Sequence, residues 1–262
     1  MKTKLLSSNK LVLAVVCIAL LLILLDIFMA FFISPLVRGA RLSEPVIIVG
    51  QMVANKLLFS QKIFYLHVPV ALSSFIALLF TAVFSIRYLI KRDPLDDMRA
   101  YSCTEIALVF VLATMASGIL WTRFEWGSWW VWEPRLTTYF ILTLMVLAYF
   151  VLRLNIEDAD REASFAAVFG ILAFINVPIS FFVTRLVPSS IHPVIFRTDS
   201  GLSSSMLIPF IAGMIGCLLL SFVLYKLRIS LKKSDFELQQ VKEEFESLYK
   251  KRLKEKRVEG DK

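Results

Sequence analysis

Cysteine and histidine, the usual builders of metal and redox centres, are scarce in this chain of 262 residues. Cysteine occurs three times, as Cys17, Cys103 and Cys217, with no C-x-x-C or C-x-x-C-H anywhere. The chain therefore has no c-type haem attachment site of its own, and such solitary thiols in apolar stretches read as small buried hydrophobes rather than disulfide partners. Histidine occurs twice, at His67 and His192, and two imidazoles without nearby cysteines make a thin zinc site. There is no Walker motif, so any use of ATP falls to a partner.

Charge is also in short supply. Charged residues make up 19% of the chain against 58% hydrophobic, and the mean hydropathy is +0.72. Soluble domains carry about 25% charge and interleave it with apolar residues. Here the apolar residues fall into six blocks, at about 11–33, 64–86, 103–121, 137–152, 164–184 and 205–225. Crossing ~30 Å of hydrocarbon takes roughly 20 such residues as a helix. The expectation is an all-α integral membrane protein, a six-transmembrane-helix bundle. Its fourth span is the shortest, with Arg135 and Arg153 snorkelling at its ends. Lys2, Lys4 and Lys10 before the first block resemble a secretory leader, but the block is too long and no small-x-small cleavage site follows, so it reads as a permanent span. Small residues at Ala116, Ser117, Gly118 and Gly213 suit close helix packing. A proton relay would need several intramembrane acids. The chain offers Asp26, inside the first span and in need of a partner, and Glu105, which reads as interfacial.

Lysine and arginine set the orientation. With the N-terminus inside, the inner segments 1–10, 87–102, 153–163 and 226–262 hold 21 of them and the outer segments hold 8. Both termini are thus expected in the cytoplasm, and the net charge of +8 reflects topology, with no nucleic acid invoked. The chain divides into a six-span membrane domain, 1–225, and a basic tail, 226–262. In the tail, Leu238, Val241, Phe245 and Leu248 have the spacing of an amphipathic helix. It is suited to anionic lipid or to a cytoplasmic partner. The long first outer loop, 34–63, contains an apolar stretch, Val46–Ala54, too short to span and suited to an interfacial or re-entrant segment.

What the chain has in one place is tryptophan. All five, Trp121, Trp126, Trp129, Trp130 and Trp132, fall within twelve residues. An aromatic belt would be spread over several helix ends and both interfaces. A cluster this dense reads instead as a rigid apolar platform for a large flat ligand. His67 stands in Tyr65-Leu66-His67-Val68-Pro69, where Pro69 suits a first helical turn, which places His67 at the outer mouth of the second span. His192 precedes Pro193, which disfavours helix and places it in an outer loop. Both histidines and all the tryptophans thus face one compartment. Two imidazoles beside such a platform supply both axial positions of a haem iron. Arg123, Arg135, Arg185 and Arg197 are on the same side, placed to pair with propionates or with lipid phosphate.

The segment Trp126-Gly127-Ser128-Trp129-Trp130-Val131-Trp132-Glu133-Pro134-Arg135-Leu136-Thr137 resembles the tryptophan-rich "WWD" signature of haem-handling membrane proteins, here at about 121–137. With the His67 and His192 segments on either side, the chain is similar to the CcmC family, the haem exporter proteins C of cytochrome c maturation. The resemblance is clearest over 62–225. It implies a haem b, bound transiently and without covalent attachment on the extracytoplasmic face. Its iron ligands would be His67 and His192, and Trp126, Trp129, Trp130, Trp132, Glu133 and Arg135 would surround it. It also implies the cytoplasmic membrane of a bacterium or archaeon, with mitochondrial relatives, and delivery of haem to a CcmE-type chaperone. The partners would be a CcmD-type small membrane protein and a CcmA/CcmB-type transporter. Glu133 stands where the family usually has Asp, which moves the carboxylate by one methylene.

The function expected is haem binding and transfer, without catalysis. The alternatives are a cytochrome c synthase-like haem lyase, whose relatives have more spans and more intramembrane histidines, and a transporter component without haem.

Overall fold

In a computed structural model the described residues are 2–34, 46–48, 51–53, 56–187, 192 and 204–260. They form six helices: α1 (Lys2–Phe32), α2 (Lys56–Lys91), α3 (Pro94–Trp126), α4 (Pro134–Asn155), α5 (Ala159–Leu186) and α6 (Ser204–Gly260). Each contains a stretch long and apolar enough to cross a membrane. The six-span bundle is therefore as expected. In the first loop, β1 (Val46–Ile48) pairs antiparallel with β2 (Gln51–Val53), Ile47 opposite Met52. The apolar stretch there makes a short hairpin.

The helices outrun the apolar blocks because polar residues at their ends find partners within the bundle. At the end opposite the tryptophans, α2 and α3 are separated only by Arg92 and Asp93. Asp93 caps α3 by accepting from Leu95 N at 2.9 Å, and Pro94 fills the first helical position, where a missing N–H costs nothing. Asp96 is fully buried between Arg87 (3.1 Å) and Arg99 (2.8 Å). Arg153, expected to snorkel, is instead held by Asp97 and by Glu162. The 22 residues of α4 span about 33 Å, so that helix needs no such help. Glu105 is likewise more than interfacial: the Arg228 guanidinium grips both its oxygens, at 2.7 and 2.6 Å, and so ties α3 to α6.

Central in the bundle, α2 packs against α3, α5 and α6. The core contains Phe75 and Leu78 of α2, Val111 of α3, Leu142 and Val146 of α4, and Val177 of α5. α1 packs chiefly along α6. There Asp26 is buried against Gly213, and neither carboxyl oxygen has a hydrogen-bond partner among the described residues. A Cβ at Gly213 would collide with that carboxylate.

Two expectations of local structure change. α2 begins at Lys56, which puts Pro69 in the helix interior rather than its first turn. The N–H that proline lacks is thus missing from the middle of the helical ladder. The tail from Lys226 is no separate element, since α6 continues through it to Gly260.

Candidate functional site

The tryptophan segment is non-helical because its two flanking helices are capped firmly. α3 ends on Gly127, whose φ of 72° is in the left-handed region that glycine adopts without strain. Arg123 folds back onto the Gly127 carbonyl and lies over the Trp129 ring. The buried Thr122 hydroxyl contacts the Trp129 carbonyl at 2.9 Å, and Ser128 donates to the Trp130 carbonyl at 3.0 Å. α4 then starts on Glu133 as N-cap, with Leu136 N donating to Glu133 Oε1 at 2.8 Å, and Pro134 follows at the first helical position.

The segment closes over a cavity between α2, α3 and α4. Its lining includes His67, His192, Trp121, Trp130, Arg135 and Tyr139. The enclosed volume is only about 50 Å³, below the ~300–1,000 Å³ of ordinary ligand sites, so a large flat ligand would need the walls to part. The floor is polar but satisfied: Tyr139 Oη and Ser74 Oγ are 2.9 Å apart, and Ser74 donates to Ala71 O.

Both histidines reach this cavity, and a polar group faces the Nδ1 of each. His67 Nδ1 is 2.9 Å from Ser117 Oγ. Ser117 donates its own proton to the Ala113 carbonyl at 2.8 Å, so it accepts from His67. Nδ1 therefore carries the proton, and Nε2 keeps its lone pair. Gly118 makes this approach possible, since a Cβ there would be 3.2 Å from His67 Cε1. His192 Nδ1 is 3.5 Å from Glu133 Oε1, beyond the usual reach of a hydrogen bond, and this buried nitrogen has no hydrogen-bond partner among the described residues. Glu133 thus serves both as helix cap and as the carboxylate beside His192. Burial, with the Arg135 charge and His67 nearby, pushes His192 down to about 3, so its ring is neutral at ordinary pH.

The tryptophans form two groups rather than one platform. Trp121 and Trp126 meet edge to face at 5.0 Å between centroids and pack against the His192 ring at 5.3 and 6.2 Å. Trp130 and Trp132 meet at 5.4 Å, and both lie against Phe140. Trp130 is inside, its buried Nε1 without a partner among the described residues. Trp129 and Trp132 are 57% and 71% exposed and do not line the cavity.

The structure therefore brings together His67, His192, Trp126, Trp130, Glu133 and Arg135 of the residues expected at the site. Trp129 and Trp132 are left outside the cavity. Of the arginines, Arg135 lines the cavity, Arg185 lies over Phe181 and Phe182, and Arg123 is folded onto the loop. Arg197 is outside the described residues. Sequence reasoning missed Trp121 as a wall of the site, though it belongs to the cluster. It also read Ser117 and Gly118 only as packing residues. Their signal was their position as adjacent small residues on a span, which does not say what they face.

The chain matches the family model for heme exporter protein C over residues 2–242. It is similar to heme exporter protein C of Bradyrhizobium diazoefficiens, 34% identical over 166 residues covering 63% of each chain. A cytochrome c biosynthesis ccmC-like mitochondrial protein of Arabidopsis thaliana is 30% identical over 190 residues, 72% of each chain. Heme exporter protein C of Escherichia coli K12 is 26% identical over 170 residues, 65% of this chain and 69% of that one. The chain spans less than two thirds of the Bradyrhizobium protein and about half (54%) of the heme exporter protein C of Paracoccus denitrificans.

Proposed function

The chain belongs to the haem exporter protein C family, and we propose that it binds haem b transiently at the cavity beside the tryptophan segment, whose walls part to admit it, and hands it on during cytochrome c maturation. The observation that carries this reading is the convergence of His67 and His192 on one cavity walled by Trp121 and Trp130, with Arg135 at its side. Haem is the cargo, and the residues present fit it. Two neutral imidazoles offer axial nitrogens, indole faces offer apolar area for the porphyrin, and a guanidinium matches a propionate. Ser117 acts on its ligand from behind, fixing the His67 ring, and Glu133 stands beside His192.

On this reading the cavity faces away from the cytoplasm, both termini are cytoplasmic, and the host is a cytoplasmic membrane. The recipient is a CcmE-type haem chaperone, with CcmD-type and CcmA/CcmB-type proteins as neighbours. The chain positions and releases haem and catalyses nothing itself.

The test is optical. The purified full chain, loaded with haem, should give a low-spin bis-imidazole spectrum, and His67→Ala and His192→Ala should each shift or abolish it. An unaltered spectrum in the double variant would defeat the assignment. Formation of a covalent haem–apocytochrome adduct with this chain as the only added factor would favour the lyase reading instead.

A further inference from the structure

From Cys217 to Glu259 the sequence contains neither glycine nor proline, and α6 runs unbroken to Gly260. The helix therefore leaves the bundle along the axis of its own span. Leu238 is twelve residues past Lys226, about 18 Å further along, and Leu248 is about 15 Å beyond that. A stripe carried that far out cannot lie on the bilayer surface without a bend, and the sequence provides no residue for one.

Four apolar residues on this extension are Leu238, Val241, Phe245 and Leu248, at 53%, 62%, 68% and 57% exposure. Their spacing is three, four and three, the a and d positions of a heptad. The extension does touch its own bundle, but not through the stripe: Lys233, Phe236 and, at the stripe's flank, Glu237 face Asp93, Leu95 and Met98 at the start of α3. At 3.6 residues per turn, Phe236 is about 160° round the helix from the stripe. The stripe thus points away from the bundle.

We infer that the stripe is a self-association seam, on which the α6 extensions of two or more copies of this chain pair as a parallel coiled coil. Copies inserted the same way in one membrane send their extensions in the same direction, so only the parallel arrangement is available. Charge complementarity agrees with it. Glu237 takes the g position and Lys242 the e position of the next heptad, the pair that meets between strands of a parallel coil. Two heptads make a weak seam alone, but anchorage in one bilayer raises the effective concentration. The inference is independent of haem.

Single cysteines placed in the full chain, with Cys17, Cys103 and Cys217 replaced by Ala, test the seam in membranes by mild oxidation. Val241→Cys and Leu238→Cys should cross-link readily, whereas Gln240→Cys and Glu243→Cys, on the other faces, should not. Glu237→Lys should lower the Val241→Cys cross-linking several-fold, and adding Lys242→Glu should restore it. Thermal melting of the bundle, compared with the cysteine-free parent, serves as the folding control. Equal cross-linking at all four positions, cross-linking at none, or no restoration by the charge swap would each overturn the seam.

Discussion

His67 donates through Nδ1 to Ser117 Oγ at 2.9 Å, and the same hydroxyl donates to the Ala113 carbonyl one turn back along α3. One serine thereby fixes the tautomer and the rotation of the ring, leaving Nε2 for the cavity. Ser117→Ala removes the acceptor, and Nδ1 is left without its partner in a half-buried place. Haem affinity should fall by about 10–100-fold, with Ser117→Thr keeping most of it. Titration of the Soret band checks both, and an unchanged affinity in Ser117→Ala would remove the serine from the ligand shell.

The pH response follows from His192. Its folded value, about 3, is far below the ordinary 6.5. A proton competes with iron for the ring only near the folded value. Binding should therefore hold from neutral pH down to about pH 4, where an exposed imidazole would already have failed. Burial is the main cause and the Arg135 charge the next. Arg135→Gln should thus raise the acid midpoint toward neutrality, read by spectra recorded across a pH series. A midpoint that stays put would mean the acid step belongs to another group.

The six spans and the tryptophan cluster were legible in the sequence because both depend on composition over a window. Each apolar block is long enough to span, and the five tryptophans are adjacent in the chain. What faces what was not legible. Arg153 looks like a snorkelling end residue until α3 brings Asp97 to it. Trp129 and Trp130 are neighbours in sequence, yet one is exposed and the other lines the cavity. The start of α2 was set too late because apolar content rises only near Phe64, whereas the helical ladder begins at Lys56. Glu133 could be noticed as a motif residue, but its double role as cap and as neighbour of His192 needs the loop's geometry.

Gly213 and Asp26 give a test that involves no haem. The glycine exists to let α6 pass the buried carboxyl of α1, and a methyl group there has no room. Gly213→Ala should destabilise the bundle by about 1–3 kcal/mol, the usual cost of overpacking. Asp26→Ala empties the same space, so in that background Gly213→Ala should cost much less. Thermal unfolding of the four chains in detergent measures the coupling. Strict additivity would show that the two residues do not meet.

Trp121 and Trp129 separate a wall of the site from an exposed member of the same cluster. Trp121 lines the cavity and packs on the His192 ring at 5.3 Å, whereas Trp129 is 57% exposed beneath the Arg123 guanidinium. Truncating Trp121 to Ala takes away a buried indole face and the support of one iron ligand together. Haem occupancy should fall strongly, and the remaining spectrum should show altered axial ligation because His192 is no longer held. Trp129→Ala leaves the cavity intact, so its equilibrium spectrum should match the parent chain. Because Trp129 is exposed, its effect should appear in the rate at which haem passes to an acceptor such as apomyoglobin. Stopped-flow transfer beside equilibrium titration distinguishes the two. Equal loss of occupancy in both variants would restore the single continuous platform that the sequence suggests.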